Sequence, residues 1–332
     1  MNNQMHRFNS NQLLLMFYSI LLVFLAADSA SATTRNPISD YDGDGKTDIA
    51  VFRRSDTYWY VSKSSGVYLF IPWGLSSDTR MPGDYDGDGK TDFAVWRRGE
   101  VDRSVFNHWY ILRSSDYTFM AIAHGLIEGQ NVSVNPAPPA DYDGDGKTDV
   151  ASFTQPYTIN NGTPTATATY FDVKQSSTNS IARRAFASTY SPFTRVAPAD
   201  YDGDGKADYT TYKDGLWTIE QSTNGALRYE SFGLSDDIVV PADYDGDGKV
   251  DVAVWRRSNG YWYWLSSRDK SFNSYHFGLS SDIPTPGDYD GDGRTDVAVF
   301  RSSTGIWYLQ QSRDGFRAEQ FGLSGDSPIS NK

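Results

Sequence analysis

Short apolar runs bounded by turn-forming residues recur along the chain. One kind is apolar at almost every position, as in Ile49-Ala50-Val51-Phe52 and Val297-Ala298-Val299-Phe300. A second kind is aromatic and follows a break of Gly, Ser or Asn, as in Tyr261-Trp262-Tyr263-Trp264. Short runs of β-branched and aromatic residues between turn signals are typical of strands. Beyond the N-terminal segment we find no helical periodicity, so the pattern predicts an all-β chain.

The runs belong to a repeat marked by the motif Asp-Tyr-Asp-Gly-Asp-Gly-Lys-Thr-Asp. Its copies start at residues 40, 84, 141, 200, 243 and 288, giving steps of 44, 57, 59, 43 and 45 residues. A period in the mid-forties is the length of a four-stranded propeller blade. One blade cannot bury both faces of its sheet, so blades stack and the ring closes. We therefore predict a β-propeller with six four-stranded blades, formed as one domain by residues 33–332.

The two ends of the repeat region leave the number of blades open. Residues 36–39 precede the first motif, and residues 327–330 have the same phase after the last blade. One segment should provide the inner strand that closes the ring. The other is then surplus or part of an extra blade, so a seven-bladed ring is the alternative.

The alternating aspartates of the motif predict calcium binding. Calcium prefers six to eight oxygen ligands, and the glycines permit the tight path on which short carboxylates converge. A turn without metal is the alternative, but four carboxylates within nine residues repel one another unless a cation neutralises them. Position seven is expected to offer its backbone carbonyl while its side chain points away. The predicted ligands for up to six Ca²⁺ ions are Asp40, Asp42, Asp44, Lys46 and Asp48; Asp84, Asp86, Asp88, Lys90 and Asp92; Asp141, Asp143, Asp145, Lys147 and Asp149; Asp200, Asp202, Asp204, Lys206 and Asp208; Asp243, Asp245, Asp247, Lys249 and Asp251; and Asp288, Asp290, Asp292, Arg294 and Asp296.

An EF-hand is excluded although the first nine positions look like one. Position twelve of an EF-hand loop is a bidentate Glu. Here that position holds Val in four loops, and Ser152 and Thr211 in the other two. The flanking segments are short apolar runs rather than amphipathic helices, so the loops are expected to lie between strands.

The motifs resemble the FG-GAP/VCBS repeats of integrin α-chain N-terminal propellers and of many secreted bacterial proteins. Besides the Asp-x-Asp-x-Asp-Gly-x-x-Asp loop, the chain has the preceding Phe-Gly step, as at Phe232-Gly233 and Phe277-Gly278. The resemblance covers roughly residues 36 to 323. It implies a calcium-stabilised propeller with the ion in the loop between the first and second strands of each blade. Related propellers bind proteins or sugars, so the resemblance implies the fold more strongly than the ligand.

Residues 1–32 are predicted to be a secretory signal peptide. Arg7 gives the positive n-region, residues 13–27 the apolar core, and Ala30-Ser31-Ala32 the cleavage site. The apolar run is shorter than the roughly 20 residues of a membrane-spanning helix. The protein is therefore expected to be secreted, extracellular or at the cell surface, with no membrane span.

The composition agrees with a calcium-stabilised secreted protein. The chain has no cysteine, so disulfides cannot stiffen it. Its formal charge is −12, which six divalent cations would cancel. The acidic balance without a basic stripe argues against nucleic acid as a partner.

Two further sets of residues recur at fixed blade positions. One is a tryptophan that could stack on sugars or fill the core, and the core is favoured because large aromatics dominate β packing. The other is an arginine that could bind sugar hydroxyls or carboxylates, or pair with an aspartate of the Leu-Ser-Ser-Asp-type turns, and pairing is favoured. The tryptophans are Trp59, Trp109, Trp217, Trp262 and Trp307, the arginines Arg53, Arg97, Arg256 and Arg301, and the aspartates Asp78, Asp237, Asp282 and Asp326.

We predict a recognition or adhesion module for a glycan or a cell-surface protein. A purely structural scaffold is the alternative, and a calcium-dependent polysaccharide lyase a more distant one. No enzyme is expected, because the histidines are scattered and there is no thiol or Gly-x-Ser-x-Gly elbow. Insertions at residues 99–105 and 155–165 are expected on one face, often the binding face. Sequence motifs for N-glycosylation (sequons) occur at Asn131 and Asn161.

Overall fold

The computed structural model describes residues 39–99, 106–126, 132–160, 163–166, 169–186 and 194–329. The predicted signal peptide, the N-terminal segment 36–38, most of the insertion at 99–105 and the sequons at Asn131 and Asn161 lie outside these residues. Within the described ranges no helix has the length and apolarity needed to cross a bilayer.

Six antiparallel sheets follow one another along the described chain and form a six-bladed β-propeller, as predicted. Blades 1 and 2 contain β1 (Ile49–Arg53), β2 (Tyr58–Ser62), β3 (Tyr68–Pro72), β4 (Thr79–Arg80), β5 (Phe93–Arg97), β6 (Phe106–Leu112) and β7 (Phe119–Leu126). Blades 3 and 4 contain β8 (Val132–Pro136), β9 (Val150–Asn160), β10 (Thr163–Ala166), β11 (Thr169–Lys174), β12 (Ile181–Phe186), β13 (Arg195–Val196), β14 (Tyr209–Lys213), β15 (Leu216–Glu220) and β16 (Leu227–Ser231). Blades 5 and 6 contain β17 (Ile238–Val239), β18 (Val252–Arg256), β19 (Tyr261–Leu265), β20 (Phe272–His276), β21 (Ile283–Pro284), β22 (Val297–Arg301), β23 (Ile306–Gln311) and β24 (Gly315–Gln320), and the last strand is β25 (Ser327–Pro328).

The C-terminal strand β25 closes the ring. It pairs with β1 through Ser327 opposite Phe52 and Pro328 opposite Val51. The next amide, that of Ile329, donates to the carbonyl of Ala50 at 2.8 Å. Blade 1 therefore takes its inner strand from the end of the chain, which gives six blades rather than seven.

Burial falls from the second strand of each blade to the outer strand. In β1, β5, β18 and β22 four consecutive residues are buried, because the strand lies between two other strands and between neighbouring blades. The third strand buries alternate residues, and the outer strand β3 buries none fully. This gradient explains why the second strands have apolar runs without alternation.

The repeated tryptophans lie in the core, the position that the sequence favoured over sugar stacking. All five are at most 1% exposed. Trp59 Nε1 donates to the carbonyl of Trp73 at 3.0 Å, and Trp307 Nε1 donates to that of Phe321 at 2.9 Å. The acceptor residue precedes the glycine of the Phe-Gly or Trp-Gly step. The step thus provides the acceptor that a buried indole N–H requires.

The ring has two faces. The loop face carries the motif loops and the hairpins between the third and outer strands. The junction face carries the hairpins between the second and third strands and the turns that lead from one blade to the next. Antiparallel pairing within each blade places these connections at opposite ends of the strands.

Candidate metal loops and the blade junctions

The first and last aspartates of each loop turn inward and hold its backbone. Asp40 Oδ1 accepts the N–H of Gly43 at 2.6 Å, and Asp40 Oδ2 accepts that of Gly45 at 2.9 Å. Asp48 Oδ2 accepts the N–H of Tyr41 at 2.8 Å. Both glycines have positive φ, 78° and 84°, a conformation that residues with a Cβ rarely adopt. The same contacts recur in the other five loops.

Three of the four carboxylates per loop converge. In five loops, positions one, three and nine each offer one oxygen within 4.8 Å of the others. Position five has different partners: Asp44 Oδ1 accepts the N–H of Lys46 at 3.0 Å, and Asp44 Oδ2 accepts the hydroxyl of Ser64 at 2.5 Å. The ligand roles of position five and of the position-seven carbonyl stay predictions. The converging groups are Asp40, Asp42 and Asp48; Asp84, Asp86 and Asp92; Asp141, Asp143 and Asp149; Asp200, Asp202 and Asp208; and Asp243, Asp245 and Asp251.

A serine on the covering hairpin completes each loop, and sequence reasoning missed it. The N–H of Ser64 donates to Asp48 Oδ1 at 2.6 Å. The signal was present, because a serine stands just after the third strand in all six repeats. The equivalent bonds, at 2.6–2.7 Å, come from Ser114, Ser176, Ser222, Ser267 and Ser312.

Burial dominates the electrostatics of the loops. It raises the pKa of Asp48 and Asp296 to about 7, with neighbouring carboxylates adding to the rise and backbone N–H bonds opposing it. The equivalent pKa is raised to about 6 in Asp92, Asp149, Asp208 and Asp251. A buried carboxylate without a counter-charge costs free energy, and a bound cation offsets that cost.

The donor set fits a divalent cation of the calcium type. The ligands are hard carboxylate oxygens in a glycine-rich loop, the type that calcium prefers. Asp290 is only 2% exposed, and its Oδ1 has no hydrogen-bond partner in the described structure. Asp42 Oδ1 is likewise buried and has no hydrogen-bond partner within the described part of the chain. Such oxygens are available to coordinate a cation.

The six loops are joined into a closed belt. The N–H at position eight donates to the position-one carbonyl of the preceding loop, as from Thr91 to Asp40 at 2.6 Å. The bond from Thr47 to Asp288, at 2.7 Å, connects the first loop to the last. The position-seven side chain packs over the preceding loop: Lys90 Cγ lies 3.2 Å from where a Cβ on Gly43 would be. The glycine at position four thus makes room for the neighbouring blade as well as for the turn.

The recurring arginines pair with aspartates, as favoured from the sequence. Arg256 Nε and Nη2 donate to the two carboxylate oxygens of Asp237, both at 2.8 Å. Asp237 Oδ2 also accepts the N–H of Leu234 at 2.9 Å, and the guanidinium lies 4.7 Å from the ring centroid of Tyr263. We call this arrangement the junction clamp. The other clamps join Arg53 to Asp326, Arg97 to Asp78 and Arg301 to Asp282.

The repeats match a known family. The FG-GAP-like repeat family matches residues 84–152, 141–210 and 243–299, which together exceed half of the chain. This chain belongs to the FG-GAP-like repeat family. Among curated proteins, none matches this FG-GAP-like chain by sequence.

Solved structures with a similar fold include a lectin of Agrocybe aegerita described as recognising non-reducing terminal N-acetylglucosamine. The lectin is 13% identical, with 86% of this FG-GAP-like chain and 90% of the lectin covered and a TM-score of 0.51. BBS1N in complex with ARL6DN is 12% identical, with 89% and 82% covered and a TM-score of 0.49. Streptogramin B lyase is 9% identical, with 83% and 80% covered and a TM-score of 0.45. At such identities the likeness is one of fold.

The FG-GAP-like ring has a cavity of about 800 Å³ beside the clamp between blades 4 and 5. Its lining combines the half-exposed Leu234 with Asp214, Asp236, Arg256 and Arg257. One apolar side chain among several charged ones suits a ligand that carries both apolar and hydroxyl or charged groups.

Proposed function

We propose that this protein is a secreted, calcium-binding β-propeller that recognises glycans through its junction face. The observation that supports calcium most is the convergence of three carboxylates in loop after loop, with the last aspartate of every loop almost completely buried. Calcium would hold the ring rigid, and the recognition surface would lie on the opposite face.

The proposed secretion is consistent with the proposed calcium binding. Extracellular modules can use calcium sites as weak as about 10⁻⁴–10⁻³ M, because calcium outside cells is abundant. The predicted signal peptide would deliver the chain to that environment. In the absence of disulfides, the loops would take the stabilising role that cross-links have in many secreted domains.

Glycan recognition is proposed for the cavity between blades 4 and 5. A sugar has apolar C–H faces and a rim of hydroxyls, and Leu234 with the surrounding carboxylates and guanidinium groups offers partners for both. The Agrocybe aegerita lectin shows that a propeller of similar fold can recognise a terminal sugar. The protein is proposed to bind without catalysing a reaction. A scaffold without a ligand is the second candidate, favoured by the repetition of the loops.

The test is a glycan array probed with the full chain in millimolar calcium, accompanied by elemental analysis for bound metal. We expect calcium in the purified protein and selective binding that Leu234→Asp abolishes. Leu227→Asp is the matched control, because Leu227 is equally exposed but lies on the outer strand β16. Uniform lack of binding across the array would favour the scaffold, and lack of bound metal would contradict the calcium proposal.

A further inference from the structure

The six motif loops differ in the residue that covers position three. That residue is the second one on the covering hairpin, directly after the recurring serine whose N–H donates to the aspartate at position nine. In loops 1 to 4 it carries a hydroxyl, and in loops 5 and 6 it is an arginine. The covering residues are, in order, Ser65, Ser115, Ser177, Thr223, Arg268 and Arg313.

In the first four loops the covering residue is a neutral hydrogen-bond donor. Ser65 Oγ donates to Asp42 Oδ2 at 2.5 Å, and Thr223 Oγ1 donates to Asp202 Oδ2 at 2.6 Å. The contacts in loops 2 and 3 are equivalent, at 2.5 and 2.6 Å. These hydroxyls orient the position-three carboxylate and leave its negative charge intact.

In the last two loops the covering residue brings a positive charge to the same place. Arg268 Nη2 lies 3.8 Å from Asp245 Oδ1 and 3.3 Å from the Asp245 carbonyl. The hydroxyl of Ser266 still donates to Asp245 Oδ2, so in loop 5 the guanidinium is added to the hydroxyl contact. The guanidinium of Arg313 donates to the carbonyl of Asp290, and its backbone N–H donates to Asp290 Oδ2 at 3.0 Å. The carboxylate that should attract a cation therefore already has a cationic neighbour.

We propose that the loops form two classes of calcium site, four tight and two weak, and that Arg268 and Arg313 set the difference. The inference rests on the proposed calcium binding and adds an order of filling to it. That these loops take a cation is supported independently by Asp290 Oδ1 in loop 6, which is buried and has no hydrogen-bond partner among the residues that the structure describes. A divalent ion at loop 5 has to share the position-three carboxylate with a guanidinium, and at loop 6 it lies beside a guanidinium that is bound to the Asp290 carbonyl. In both loops that positive charge repels the ion, which weakens binding by roughly tenfold.

Loop 5 is the weaker of the two. Arg313 also pairs with Asp314, Nε to Oδ1 at 3.0 Å, and that carboxylate offsets part of its charge. The ion pair of Arg268 is with Asp245 itself. The order of filling is thus loops 1 to 4, then loop 6, then loop 5.

The experiment is a calcium titration of the chelator-stripped full chain, followed by isothermal calorimetry and by competition with a chromophoric chelator. Wild type should show about four equivalent sites and two that are weaker by roughly tenfold. Arg268→Ser/Arg313→Ser should bring the weak sites to the affinity of the others. Ser65→Arg should move one tight site into the weak class. Arg54→Ser, which removes an exposed charge on the junction face, should change neither class.

The outcomes separate this inference from the proposed function. If wild type binds no calcium at millimolar concentrations, the calcium proposal itself is wrong. If six equivalent sites are found, or if two weak sites persist in Arg268→Ser/Arg313→Ser, calcium binding stands and the role of the arginines is overturned. Ser65→Arg is informative even if the double variant folds poorly, because it tests the same contact in the opposite direction.

Discussion

The loop face and the junction face both hold the six blades together, but they do so through different contacts. On the loop face every blade has the same acidic loop and the same hairpin serine, Ser64 or its equivalent, whose N–H donates to position nine. Every loop also makes the same backbone hydrogen bond to the neighbouring loop. On the junction face, the residues that the structure describes form the clamp at the junctions entering blades 1, 2, 5 and 6. Blades 3 and 4 have Thr154 and Lys213 at the place of the arginine.

The difference shows which face is free to vary. A belt that closes on itself needs every member, because a single broken loop interrupts both of its neighbours. The clamps act one junction at a time, so a junction can lose its clamp while the ring persists. Within this chain the junction face therefore differs more from blade to blade, and it carries the insertions of the second and third repeats.

Removal of calcium should give the largest effect, because it acts on the whole loop face at once. Calcium at ten times its Kd stabilises the folded chain by about 1.4 kcal/mol per site, so several sites together shift the melting temperature by more than about 10 °C. Differential scanning fluorimetry with EGTA and with excess calcium measures this shift. Magnesium should not restore the loss, because it demands a smaller octahedral site. An unchanged melting temperature in EGTA would mean that the loops hold without metal.

The pH dependence of the calcium-free protein should be the next largest effect. The pKa of Asp48 and Asp296 is about 7 in the fold against an ordinary 3.8, so the folded chain binds more protons than the unfolded chain between these values. Stability therefore falls as pH rises from about 4 to about 7 and stays low above that. Chelated protein should melt several degrees higher at pH 5.5 than at pH 7.5. Melting in EGTA at the two pH values tests this, and a higher melting temperature at pH 7.5 would contradict it.

Breaking one clamp should have a smaller effect, confined to one junction. Asp237 is 1% exposed and accepts bonds from both Arg256 and Leu234, so Asp237→Ala leaves a guanidinium and an amide without their acceptor. We expect a loss of about 3 kcal/mol in the free energy of unfolding. Urea denaturation followed by tryptophan fluorescence measures it. Asp236→Ala, one residue away and exposed, is the matched control and should cost less than about 0.5 kcal/mol.

The smallest expected effect is the difference in stability loss between two tryptophan substitutions. One tryptophan lies at a junction with the Phe-Gly step, and the other lies at a junction without it. Trp307 Nε1 donates to the Phe321 carbonyl, whereas Trp109 Nε1 is buried with no partner in the described structure. Trp307→Phe and Trp109→Phe remove the same ring atoms, but only the first breaks a hydrogen bond. Trp307→Phe should therefore cost about 1 kcal/mol more in urea denaturation. Equal losses would show that the Phe-Gly carbonyl contributes nothing.

The local features of this fold were predictable because they depend on neighbours in the chain. The glycine turns and the apolar second strands follow from short-range geometry and were predicted. The bonds from the N–H groups of Gly43 and Gly45 to Asp40 are equally local, but they were not predicted. The arginine–aspartate pairs were predictable too, since both residues recur at fixed blade positions. The covering serines were visible in the sequence, but nothing local says that the hairpin bends over the loop.

By itself the sequence determined the strand pattern, the six repeats, the acidic loops and the membership of the buried core, because each depends on composition and spacing within one repeat. Only the tertiary structure decided that β25 completes blade 1, that each loop donates to the preceding one, and that Arg268 and Arg313 lie beside the aspartates of loops 5 and 6. These contacts join residues far apart in the chain, and they exist only once the ring has closed.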